Sequence, residues 1–305
     1  MPRRSLSPGV LAAFAVIYVF WGATFLAIRI GDATLPPLAF AALRFIPAGL
    51  LLYGWGWLRG GPHPSAPEWR SIVLVALLMF PVGYGLQFWA QTRVSSGLTA
   101  VIVTLVPLWV AAIEIWVFRT TAPSVKVIGG CVLGLAGMAV LMSGGAAGAR
   151  LPLLPVLALL AVSLSWSVAT ILIARLPLPR STGISAGAQM LVGGLMLAAG
   201  AAATGEFHGV DWLHALTPAA LWSLLYLIVA GSVVAYAAYV WLLGRVSAVR
   251  VATFALVNPI VALLLGWAWA GEVLTAASLA GTAIILAALA LVLSRPPPKA
   301  ATISA

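Results

Sequence analysis

The sequence predicts an all-α integral membrane protein: ten transmembrane helices, arranged as two inverted five-helix repeats around a central cavity. Three observations carry this. The 305 residues are 63% hydrophobic and only 7% charged, whereas a soluble domain is roughly half apolar and a quarter charged. The few charged residues divide the chain into runs close to the ~20 residues that cross a hydrocarbon core as a helix. The second half of the chain also repeats the first.

The elements follow from the charges in order. Val10–Ile30 comes after Arg3 and Arg4. It looks like a signal peptide, but its uncharged run from Ser5 to Ile28 is longer than a signal's apolar region, so it reads as a retained span. Leu35–Trp57 lies between Asp32 and Arg59 and holds one internal charge, Arg44. Ser71–Gln91 fills the gap from Arg70 to Arg93. Ser96–Phe118 runs to Arg119 and contains Glu114. Ser124–Met142 precedes Arg150, and Leu153–Ala174 runs from there to Arg175. Ile184–Ala203 lies between Arg180 and Glu206, and Ala219–Leu243 between Asp211 and Arg245. Val249–Ala270 ends before Glu272, and Leu274–Leu293 ends before Arg295.

Ten crossings put both termini on one side. That side carries twelve of the basic residues and the other only Arg29, Arg93 and Arg150, while Asp32, Glu206, Asp211 and Glu272 fall opposite the termini. The basic side is expected to be cytoplasmic. The expected setting is a bacterial inner membrane with N- and C-termini inside. Trp55, Trp57, Trp69, Trp212 and Trp222 lie at span ends, as interfacial anchors do.

Sliding the chain by 152 positions superimposes Ser71 on Ser223, Tyr84 on Tyr236, Trp89 on Trp241, Pro107 on Pro259 and "RVSSGLTA" on "RVSAVRVA". A shift of 145 superimposes Trp21 on Trp166, Ala41 on Ala186 and Gly49 on Gly194. The units are residues 1–147 and 148–305. Five is odd, so the second unit enters the membrane from the opposite side. Inverted repeats recur in secondary transporters, which bind substrate near the midplane between the halves.

"GLTAVIVTLVPLWVAAI" in helix four, and "VATFALVNPIVALLLGWAWAGEVLT" followed by "AASLAGTAIILAALALVL" in helices nine and ten, resemble the EamA-type proteins of the drug/metabolite transporter superfamily. The resemblance covers nearly the whole chain. The first repeat departs from it, because Thr120 stands where the second has Glu272. The resemblance implies export of small metabolites, often amino acids. The aromatic content also resembles that of the YddG-type amino-acid exporters.

Arg44 interrupts "LAFAALRFIPAGLLLYGW" about nine residues, or roughly 13 Å, into the membrane. A guanidinium at that depth should face the bundle interior. It would anchor a substrate carboxylate, or bind helix-end carbonyls or an outer-side acid. Its inverted counterpart is Gln189. Trp21, Thr24, Ser163 and Trp166 in helices one and six, and Tyr84, Gln87, Tyr236 and Tyr239 in helices three and eight, are candidates to line a substrate site. Ordinary packing is the alternative for each. Asn258 would touch substrate or satisfy backbone freed by Pro259. Pro107 and Pro259 would act as gating kinks or as static ones. Glu114 would couple protons, bind an ammonium, or pair with a basic residue at the inner rim. The rim reading is favoured, because long side chains near a span end snorkel outwards.

Other classes fare worse. The net charge of +10 is scattered and forms no patch, which argues against a nucleic-acid partner. His63, His208 and His214 lie in loops, and no metal, nucleotide or dinucleotide motif is present. No cofactor, metal or enzymatic activity is expected. A channel would want a charged ring or filter, and none is evident. Cys131 has no partner cysteine. The expected partners are a small-molecule substrate and the bilayer, and a monomer is expected. The GxxxG spacing of Gly130 and Gly134 is read as close helix packing, with a dimer surface as the alternative.

Overall fold

The computed structural model describes residues 7–119, 125–143, 152–208, 210–243, 245–246, 251 and 253–293. Among them are ten apolar helices. They are α1 (Pro8–Gly31), α2 (Pro37–Leu58), α3 (Ala66–Gln91), α4 (Ser96–Trp116), α5 (Val125–Ser143), α6 (Leu153–Ile173), α7 (Thr182–Ala203), α8, α9 (Phe254–Ala270) and α10 (Ala276–Leu293). Helix α8 runs through Pro218–Tyr226, Leu227–Val234 and Ala235–Leu243 without a break. A single turn, Trp212–Ala215, precedes it. Seven of the ten are long and apolar enough to cross a membrane by themselves. Large apolar side chains such as Leu50, Leu154 and Trp269 are exposed on the outside of the bundle, which suits lipid as solvent.

The helices pair reciprocally between the repeats. α2 lies along α7, α4 along α9 and α5 along α10. α1 packs on α8 and α9, and α6 packs on α3 and α4, its equivalents. Small residues allow the closest approaches. A Cβ on Gly49 of α2 would sit 2.6 Å from the backbone N of Leu191 in α7. Gly187 of α7 faces the Tyr53 backbone in the same way. In α5, Gly130 faces Ala288 and Val292 of α10, so the GxxxG stripe is used inside the chain.

The helix ends explain several boundary differences. α3 begins five residues before the expected Ser71, because Ser65 and Glu68 form a reciprocal capping box with Pro67 in the first turn. α10 begins at Ala276, where Thr275 and Ser278 exchange side-chain-to-backbone bonds of 2.9 and 3.0 Å. The expected start of α9 at Val249, and Thr120, lie outside the described residues.

The two prolines act differently. In α4 the helix stops at Val103, turns at Thr104 and Leu105, and restarts at Val106. Pro107 therefore stands in the first turn of the second half, where a helix N–H has no intrahelical carbonyl to donate to. Pro259 lies inside the continuous helix α9.

Helices α3 and α8 each contain a widened π-helical stretch, Leu78–Gly85 and Leu227–Val234. In the first, Pro81 cannot donate to the preceding turn. In the second, Ser232 Oγ donates to Leu227 O five residues back, at 2.9 Å. Such stretches break the regular ladder and free backbone groups for other partners.

Candidate functional site

The two π-helical stretches bring the candidate residues together. Trp21 Nε1 donates to Gly231 O in the α8 stretch at 3.0 Å. Its equivalent, Trp166, lies over Gly83 in the α3 stretch, so close that a Cβ there would be 2.8 Å from Trp166 Nε1. Ser165 Oγ donates to Leu78 O at 2.7 Å and fastens α6 to the same stretch.

Arg44 projects from α2 into this region and is only 2% exposed. Its Nε donates to Ser232 Oγ at 3.1 Å. Its guanidinium carbon lies 4.5 Å from the Phe45 ring centroid and 5.1 Å from that of Tyr84. Nη1 is buried and has no hydrogen-bond partner. Gly231 makes room for this, since a Cβ there would meet Thr24 Cγ2 at 2.8 Å and Arg44 Nη2 at 3.5 Å. Arg44 thus packs against the rings of Phe45 and Tyr84. Gln189, its inverted counterpart, donates to Ser185 Oγ on its own helix at 3.0 Å.

The aromatic residues form two sets. Phe45, Phe80, Tyr84 and Trp166 make one, with ring centroids 4.8 Å apart for Phe45–Phe80 and 5.4 Å for Tyr84–Trp166. Trp21, Tyr236, Tyr239 and Phe254 make the other, with Trp21 at 5.2 Å from Tyr239 and 5.0 Å from Phe254. Tyr84 and Tyr236 pack against the same core, which contains Phe45 and Leu227.

Several smaller polar candidates have protein partners. Thr24 Oγ1 donates to Trp21 O at 2.6 Å. Gln87 Nε2 donates to Gln91 Oε1 at 3.3 Å, and Gln91 Nε2 to Phe25 O at 2.9 Å. Ser163 Oγ accepts from Trp109 Nε1 at 2.9 Å and donates to Leu160 O. In the amide orientation that satisfies both its ends, Asn258 donates to Phe254 O and Tyr18 O at 3.1 Å, joining α9 to α1.

Glu114 and Arg175 form an ion pair of 2.7 Å at the end of the bundle where α1 begins, and both are partly exposed. Arg175 lies just beyond the end of α6. At the opposite end, acids from the second repeat cap helices of the first. Glu206 Oε2 accepts the Ala39 N–H of α2 at 2.9 Å. Glu272 accepts the N–H groups of Ser96 and Gly97 of α4 at 2.6 and 3.1 Å. Asp32 is half-buried as a residue, but both its carboxylate oxygens are covered and unpartnered. Burial lifts its carboxyl well above the ordinary range; Arg29 opposes the rise and Glu206 adds to it.

Sequence reading missed Ser232, Phe45, Trp109 and Phe254. The Gly231–Ser232 pair inside an apolar run was the available signal for a distorted helix. Phe45, Trp109 and Phe254 carried none, because apolar residues fill every face of these helices. No group of three or more metal-binding side chains occurs among the described residues.

Comparison with known proteins agrees with this architecture. The family model described as the EamA-like transporter family matches twice, at residues 7–143 and 153–294. The inner membrane transporter YedA of Escherichia coli (strain K12) is 35% identical over 96% of this chain and 92% of its own. A protein named "Probable amino-acid metabolite efflux pump" in Salmonella typhimurium (strain LT2) is 26% identical over 93% of this chain and 94% of its own. A solved crystal structure shares the fold at a TM-score of 0.64, with 20% identity, over 94% of this chain and 96% of that one. With ten apolar helices and a family match over both halves, this chain belongs to the EamA-like transporter family and is a multi-pass membrane transporter.

Proposed function

We propose that this transporter exports small carboxylate-bearing metabolites, amino acids with apolar or aromatic side chains among them, by alternating access between units 1–147 and 148–305. The observation that carries the reading is Arg44: a cation 2% exposed, amid aromatic rings, with Nη1 unpartnered. A buried guanidinium without a carboxylate partner is costly, and a substrate carboxylate would supply one. Trp21, Tyr84, Trp166, Tyr236 and Tyr239 offer faces for an apolar body. The similarity to a protein named as an amino-acid metabolite efflux pump is in keeping with this.

The chain carries no nucleotide-binding motif of its own, so a gradient is the expected drive. The basic bias points to cytoplasmic termini. The Glu206–Asp211 loop then faces outward, and a reporter fused there should read as periplasmic. The deciding experiment uses purified protein in liposomes, a panel of labelled amino acids, and runs with and without a proton gradient. Flux of at least one apolar amino acid is expected, with an apparent affinity that falls roughly ten- to hundredfold in Arg44→Ala. No flux for any of the panel would refute the reading.

A further inference from the structure

Trp21 and Trp166 are equivalent in the two repeats, yet their indole N–H groups differ. Trp21 Nε1 is satisfied by Gly231 O at 3.0 Å. Trp166 Nε1 is buried and has no partner. Arg44 Nη1 is in the same condition. Both side chains pack on Tyr84, the Arg44 guanidinium carbon at 5.1 Å and the Trp166 ring at 5.4 Å from its centroid. Two unpaired buried donors therefore lie about one ring, and a buried donor left unpaired is costly.

The acids are all elsewhere. The chain has six. Glu114 is paired with Arg175. Glu206 and Glu272 cap α2 and α4. Asp32 follows the last residue of α1, and Glu68 and Asp211 lie in helix-capping turns. None lies in the aromatic region, so nothing anionic there would meet an ammonium.

We infer that the site reads a carboxylate and not an ammonium: Arg44 Nη1 and Trp166 Nε1 both donate to the anionic head of the substrate, whose apolar body lies among the rings. The inference rests on the proposed role of Arg44 and narrows it. A 2-amino group is then dispensable, and organic monocarboxylates lacking one belong to the substrate class. Trp166 becomes a specificity-determining residue through its N–H as well as its ring.

The test is calorimetric binding to full-length protein in lipid nanodiscs, with three probes that share one side chain: 3-phenylpropionate, phenylalanine and phenethylamine. 3-Phenylpropionate should bind at least as tightly as phenylalanine, and phenethylamine should not bind. Trp166→Phe keeps an aromatic face and loses the N–H donor, so it should weaken 3-phenylpropionate about tenfold. Binding of phenethylamine, no binding of 3-phenylpropionate, or phenylalanine tighter than 3-phenylpropionate by about tenfold or more would overturn the inference. So would unchanged affinity in Trp166→Phe. If that variant does not fold, the three probes on the unmodified chain decide. Phenylalanine flux in liposomes that 3-phenylpropionate fails to inhibit would overturn this inference while the exporter reading stands.

Discussion

Glu272 holds the start of α4: its carboxylate accepts the backbone N–H of Ser96 at 2.6 Å and of Gly97 at 3.1 Å. The acid comes from the loop between α9 and α10, so a residue of the second repeat caps a helix of the first. Gly271 enables the turn with φ of 63°, and Gly266 leaves the space that the carboxylate fills.

Glu272→Ala should lower stability by about 1.5–3 kcal/mol, the range for hydrogen bonds to a charged group. Glu272→Gln keeps an acceptor oxygen and should lose less. Melting temperatures in detergent check this. Equal losses for the two variants would show that charge at the helix N-terminus, and not the acceptor, matters most.

Arg44→Lys keeps the charge but loses the planar fork, so transport should fall while the protein folds. Arg44→Ala should cut apparent affinity by roughly ten- to hundredfold, matching about 1.5–3 kcal/mol for a charge-assisted bond. If Arg44 only ties α2 to Ser232, Arg44→Ala will lower the melting temperature and the folded fraction will transport with normal affinity.

Glu114→Gln should leave transport and its pH response nearly unchanged. The pair with Arg175 is partly exposed, so its loss should cost less than about 1 kcal/mol. Loss of pH dependence in this variant would instead make Glu114 the proton carrier.

Asp32 gives a pH effect of defined sign. Its carboxyl is raised in the folded protein, chiefly by burial, so the folded chain keeps a proton that the unfolded chain releases at lower pH. Its contribution to stability is fully present below the ordinary carboxylate range near about 4 and is lost as pH rises through the folded value. Asp32→Asn should remove that loss and melt higher than the unmodified chain at neutral pH, with the gap closing towards acid. A gap that widens towards acid would contradict the assignment.

Gly187→Leu should prevent α7 from lying against α2, because its side chain would enter the Tyr53 backbone. A destabilisation above about 3 kcal/mol is expected, beyond ordinary overpacking because backbone cannot yield as a side chain does. The α5 position Gly129 has its nearest contact at 3.8 Å from its Cβ position, and Gly129→Ala should be nearly neutral.

The bundle was legible in the sequence because membrane insertion depends on local sums. A run of apolar residues between charges crosses the bilayer whatever its neighbours do, and Arg44 inside such a run had to turn inward. The matched pairs Trp21/Trp166, Tyr84/Tyr236 and Gly49/Gly194 were legible too, since duplication copies residue types at a fixed interval. What each copied residue touches was decided only by the tertiary structure. Trp21 reaches a backbone carbonyl and Trp166 does not. Pro107 opens a half-helix while Pro259 lies within a continuous one. Glu272 is satisfied 176 positions away in sequence, by Ser96. A hydrogen bond forms or fails over a few tenths of an ångström, and helix rotation and register between the two halves set that distance. Hydrophobic spacing carries no information at that scale.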